Sequence, residues 1–232
     1  MKLTDTQIQD LYTFTRKHYV EYYDVQTELV DHLANDIEAI WEENSELSFE
    51  KARDTSFKKF GIYGFMDVVE EKQRQLSKRY LKIILRFVKE WFKLPKIILT
   101  AFLVWLFYEV QSFNHAFYIY ATIYFCIISF ELIKMFQSRK KITRKQKATG
   151  KKWMLENILL AQGIGNLALI LFYMVDFSLP NNHDFLELSQ PSRFFCAAII
   201  VLTIIIAHVT VHVIPNKAEE LLEEQYPEYK LA

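Results

Sequence analysis

The chain has 232 residues, with 28 Lys/Arg against 28 Asp/Glu, a formal net charge of zero, and 51% hydrophobic residues. The zero hides an asymmetry, because the first 70 residues hold fifteen Asp/Glu and seven Lys/Arg, and from Lys72 onward the balance reverses amid long apolar runs. That pattern indicates membrane partition rather than a nucleic-acid surface, and two cysteines, Cys126 and Cys196, both inside apolar runs, exclude a disulfide framework or a cysteine zinc site.

Residues 1–70 read as a cytosolic domain of three short helices. MKLTDTQIQD lacks the apolar core of a cleavable signal peptide, so the first membrane segment is expected to be an uncleaved anchor. Thr4 with Gln7 predicts a reciprocal cap, followed by Ile8, Leu11, Thr15, His18 and Tyr22 at helical spacing. A second helix aligns Val25, Leu29, Leu33, Ile37, Ile40 and Trp41, leaving Glu28, Asp31, Asp36, Glu38, Glu42 and Glu43 on its remaining surface. Ser48 is placed to cap a third, in which Phe49, Ala52, Phe57 and Phe60 face inward and Gly61 ends the helix in a left-handed conformation. So small a bundle is marginal by itself and is expected to lean on a partner, a second copy or the helix that follows.

The string Tyr23-Asp24-Val25-Gln26-Thr27-Glu28-Leu29-Val30-Asp31-His32-Leu33, then Leu47-Ser48-Phe49-Glu50-Lys51-Ala52 and Lys59-Phe60-Gly61, resembles the amino-terminal HAAS signalling domain over about the first 65 residues. The resemblance implies a role in bacterial signalling rather than catalysis, fusion to several transmembrane helices, and a cytosolic partner such as a PadR-like transcriptional regulator. Where that family tends to follow its glycine with a proline and a small-residue helix, this chain has Ile62-Tyr63-Gly64-Phe65. The connection toward the membrane is expected to differ accordingly.

Residues 71–94 form a basic amphipathic juxtamembrane helix. Leu76, Tyr80, Ile83, Ile84, Phe87 and Trp91 share one face and the Lys/Arg set the other, as in a helix lying on an anionic leaflet or leading into a span. Region 95–214 holds four transmembrane helices at 95–113, 116–136, 155–177 and 194–214, each near the roughly 17–25 residues that a bilayer core about 30 Å thick demands. The first is short and carries Glu109, and a buried soluble helix is its alternative. The fourth, FFCAAIIVLTIIIAHVTVHVI, has no charged residue of the Lys, Arg, Asp or Glu kind. The overall fold class is therefore all-α, a small helical bundle followed by a four-helix transmembrane region.

Lys and Arg cluster before the first span and between the second and third, whereas QSFNHA has none and SLPNNHDFLELSQPSR only Arg193. Positively charged loops stay inside, so both termini are expected in the cytosol of a bacterial cytoplasmic membrane. Residues 215–232 form an acidic cytosolic tail, which either folds over the basic loop or stands apart from it.

Polar groups inside spans are the first functional candidates, because hydrocarbon leaves them unsatisfied unless paired or hydrated. Gln162, Asn166, His208 and His212 mark a candidate polar seam in the third and fourth spans, and the four-residue spacing of the two histidines is compatible with a metal or haem but lacks further ligands. Ala161 and Gly165 have the spacing that brings helices close, so helix packing competes with a ligand pathway there. Glu131 is expected to pair with Lys134 one turn on. In the soluble domain, Glu28, Asp31 and His32 are the candidate partner-binding residues. Glu28, His32 and Asp36 share a face but match no metal motif, and no phosphate loop or nucleophile elbow is present. The expectation is a regulatory or scaffold protein, not an enzyme, with no cofactor, no metal and no direct nucleic-acid contact. It contacts the lipid bilayer and a cytosolic protein, and a homo-oligomer is compatible with the sequence. The alternative is a small transporter or channel-like protein using the polar seam.

Overall fold

The computed structural model describes residues 2–226 and 229, apart from the side chains of Gln162, Asn166, Leu167 and Ala168. Every regular element among them is helical: α1 (Asp5–Lys17), α2 (Tyr23–Glu43), α3 (Phe49–Lys58), α4 (Met66–Trp91), α5 (Lys96–Val110), α6 (Ala116–Thr149), α7 (Met154–Ser178), α8 (Gln190–Asn216) and α9 (Ala218–Gln225). They form two compact units, Met1–Ser77 with Lys145–Met154, and Lys78–Arg144 with Leu155–Ala232. The division thus falls inside α4 rather than at residue 70, and the first unit takes in a stretch that hydropathy assigns to a loop between spans.

In the first unit the Thr4 hydroxyl accepts from Gln7 N and the Gln7 side chain accepts from Thr4 N, so the reciprocal cap forms. α1 stops at Lys17 because Tyr19 takes a left-handed φ of 65°, which turns the chain and leaves Tyr22 as the residue before α2. Sequence spacing had run the first helix on to Tyr22. Val25, Leu29, Leu33, Ile37 and Trp41 are buried along α2, and the Trp41 indole N–H donates to Leu47 O at 2.8 Å, closing the turn into α3. Ser48 Oγ accepts from Lys51 N, and Gly61 takes φ 78° after α3. Phe65 completes an aromatic cluster, its ring 4.8 Å from Phe57 and 4.9 Å from Phe60, with Phe14 5.3 Å from Phe57. The segment that departs from the HAAS pattern therefore supplies a core residue here.

In the second unit, α6, α7 and α8 are long and apolar enough to cross a bilayer, with mean hydropathies of 1.8, 2.0 and 2.7. α5 has 15 residues, about 22 Å at 1.5 Å per residue, and meets the same test only together with α4, from which it is bent by 89°. Phe102, Trp105, Phe125, Phe172, Phe177 and Phe195 are each more than half exposed, an apolar belt that water would not favour and lipid would. Tyr80, Ile83, Ile84 and Phe87 of α4 are buried within this unit, so the face expected to lie on a leaflet is covered by protein. At Tyr80 the cover is α7, where a Cβ on Gly163 would overlap the ring. Gly165 lies against Met135 Sδ, 2.8 Å from where its Cβ would stand, so small residues of α7 serve close packing.

α7 and α8 each contain one π-helical turn, Ile158–Gln162 and Val209–Val213. In α8 it precedes Pro215, whose missing N–H and ring disrupt the ladder one turn upstream, and the Thr210 hydroxyl donates back to Ile206 O at 3.0 Å. At the opposite end Arg193 ties α8 to α5. Its guanidinium donates to Gln111 Oε1 at 3.3 Å and Ser112 Oγ at 3.1 Å and lies 4.7 Å above the Tyr108 ring. Gln111 Nε2 in turn donates to Tyr120 Oη and to Arg193 O, both at 2.9 Å.

Candidate functional site

Three places collect polar chemistry. The first is α2. Its first turn carries Asp24, which is buried beside the amino-terminal end of the helix, where a carboxylate is favoured by the free N–H groups. Asp24 accepts from Met154 N through both carboxylate oxygens, at 3.1 and 3.2 Å. Tyr23 N donates to Lys152 O at 2.6 Å, Lys152 Nζ reaches Glu21 at 2.6 Å, and Trp153 sits edge-on to the Tyr23 ring at 5.3 Å. Lys151 and Lys152 lie over the Tyr23 and Tyr22 rings at 4.5 and 4.7 Å. The start of α2 therefore grips residues 151–154, where the third apolar helix begins. Periodicity had marked none of this, since Asp24 looks like any first-turn acid and its partner is 130 residues away in the chain.

Of the expected partner-binding residues, Asp31 and His32 are exposed, whereas Glu28 is tied to Lys72 at 2.5 Å. Asp36, which shares their face, is held by Lys59 at 2.6 Å. Partial burial works against its ionisation, but the bonds from Lys59 and Ser56 prevail and hold the carboxyl below its ordinary range. The row Glu28, His32, Asp36 is thus divided among separate ion pairs and solvent.

The second place is the expected polar seam. The side chains of Gln162 and Asn166 lie outside the described residues. His208 and His212 are exposed, ring to ring at 5.4 Å, with His208 edge-on to Trp91 at 5.2 Å. They face out of the second unit.

The third place is one that residue spacing does not mark. Glu131 is fully buried, and among the described residues neither of its oxygens has a hydrogen-bond partner. The expected pair with Lys134 does not form, because the Lys134 ammonium turns to the Phe130 ring at 5.5 Å while Glu131 points inward. Near it are Tyr80, whose hydroxyl is likewise buried without a partner, and Thr210 of the π turn in α8. A buried carboxylate without a counter-ion is costly, and π-helical turns recur at functional sites. The signal available in sequence was a Glu inside an apolar run, and its i, i+3 lysine concealed it.

Fold and sites together describe an all-α membrane protein with a helical head unit. The chain matches no family model, no curated protein and no solved structure.

Proposed function

We propose that the chain is a membrane-anchored regulatory or scaffold protein, whose helical head presents Asp31 and His32 to a cytosolic protein partner and is tied to the loop between its second and third spans. The observation that carries this reading is the grip of Tyr23 and Asp24 on residues 152–154. Hydrogen bonds need both groups on one side of the membrane. The head precedes α6 and the gripped stretch follows it, so a crossing by α6 alone would separate them, and a crossing by α5 as well reunites them. Positive charge between spans two and three supports the cytosol as that side. The resemblance to HAAS domains supports a bacterial cytoplasmic membrane and a PadR-like regulator as the partner class.

Binding at α2 acts on the residues from which the third span starts, which is what a protein that reports through contacts requires. The test is cross-linking of the full chain in its native membrane, comparing wild type with Asp31→Lys/His32→Glu. A soluble protein cross-linked to wild type and lost from the variant supports the reading, and an identical adduct pattern contradicts it.

Glu131 favours a second reading, a small transporter or channel-like protein. In that reading the buried carboxylate beside Tyr80 and Thr210 serves a cation or proton, in place of the outward-facing His208 and His212. Solute or proton flux into vesicles containing the protein, abolished by Glu131→Gln, would support transport over regulation.

A further inference from the structure

A groove of about 370 Å³ opens on the surface of the second unit between α6 and the π turn of α8. Ile127, Phe130, Ala207 and Val211 wall it, and Lys134, His208 and His212 line it with three nitrogen-bearing groups. The two imidazoles are 5.4 Å apart on successive turns, so their N–H groups serve one ligand. Trp91 is edge-on to His208, and Lys96 Nζ stands 4.7 Å over that indole, adding a further cation. Among the described residues no carboxylate pairs with Lys134, His208 or His212, and Glu131, three positions before Lys134, is buried. The groove thus joins unneutralised positive charge and N–H donors to an apolar wall. Its level is also defined, since Lys134 lies two residues before the apolar run of α6 ends at Phe136 and His212 three before Pro215, near the close of α8.

We infer that this groove binds the headgroup of an anionic phospholipid from the leaflet on that side. Its phosphate oxygens accept from Lys134 and from the imidazole N–H groups, and its acyl chain runs along Ile127 and Phe130. Charge-assisted bonds to phosphate are the stronger kind, and apolar walls beside them select a phosphate that carries a hydrocarbon tail. A zwitterionic headgroup brings its own cation beside the ammonium groups of Lys134 and Lys96. Free phosphate leaves the walls uncovered. The inference needs α6 and α8 to cross the bilayer and is independent of what the head unit binds.

Native mass spectrometry of the full-length protein in detergent, titrated with phosphatidylglycerol or phosphatidylcholine of identical chains, tests it. Expected is one retained phosphatidylglycerol, favoured by about tenfold or more, with Lys134→Gln/His212→Gln losing that preference and Lys134→Arg keeping it. Thermal unfolding of each variant in the same detergent shows whether it is folded. Equal retention of the two lipids would overturn the assignment, as would a folded double variant with the wild-type preference. Displacement of the lipid by inorganic phosphate at matched concentration would also overturn it, because the tail would then contribute nothing.

Discussion

At Asp24 one carboxylate holds the main chain of Met154, and replacing it strands a buried N–H. Asp24→Ala is expected to destabilise the first unit by about 1.5–3 kcal/mol, the range for hydrogen bonds to a charged group. Trypsin cleavage at Lys151 and Lys152 in the folded protein would rise accordingly, and an unchanged cleavage rate would show that the grip contributes little. Asp36 gives a smaller, pH-dependent effect. Its folded-state carboxyl titrates below the unfolded value of 3.8, so the unfolded chain takes up the extra proton as pH falls. The contribution is present above that value and lost as pH drops through the folded pKa, and Lys59→Met should flatten the acid limb of the unfolding curve. At Gly163 any side chain meets the Tyr80 ring. Gly163→Val is expected to cost about 1–3 kcal/mol, as overpacking does, and Tyr80→Ala should recover part of that loss in a double-mutant cycle measured by thermal unfolding in detergent.

Among the elements, α1 to α3 were legible because their information is local: a Thr4 cap, a four-residue stripe on α2, a Ser48 cap and a glycine at 61. The apolar parts of α6 and α8 were equally legible, since a long apolar run has few alternatives to a bilayer, although α6 continues as helix to Thr149 where the basic residues suggested a loop. What escaped was non-local or depended on the direction of a side chain. Glu131 and Lys134 are one turn apart, a spacing that pairs charges on an exposed helix, but α6 buries one flank and exposes the next. The amphipathic face of α4 is as compatible with a leaflet as with protein, and only the gap left by Gly163 shows which it meets. Arg193 stood out as the lone cation of its loop, and its partners Gln111 and Ser112 lie more than 80 residues earlier. Arg193→Ala removes charge-assisted and cation–π contacts between α5 and α8. It should lower the melting temperature in detergent, and Arg193→Lys, unable to reach both side chains in one plane, should restore only part of the loss.

For the whole molecule, the acidic head and the residues just before the third span belong to one compact unit, Met1–Ser77 with Lys145–Met154, a grouping that hydropathy lacks. The tail adds a tether within its own unit, where Leu221 and Leu222 of α9 are buried and the Tyr229 hydroxyl donates to Glu156 at 2.8 Å. Burial and the neighbouring Glu156 carboxylate keep that phenol protonated well above its usual range. The platform has four crossings only if the 15-residue α5 is one of them, spanning about 22 Å of a core about 30 Å thick with local thinning of the bilayer.

Single-cysteine labelling of intact cells with a membrane-impermeant maleimide, in a background lacking Cys126 and Cys196, therefore tests the account at its centre. Asn114 and Asn182 should label from outside, and Ala148 only after permeabilisation. Protection of Asn114 in intact cells, with Ala148 reactive, would put α5 on one side of the membrane and contradict the shared compartment that the Asp24 grip requires.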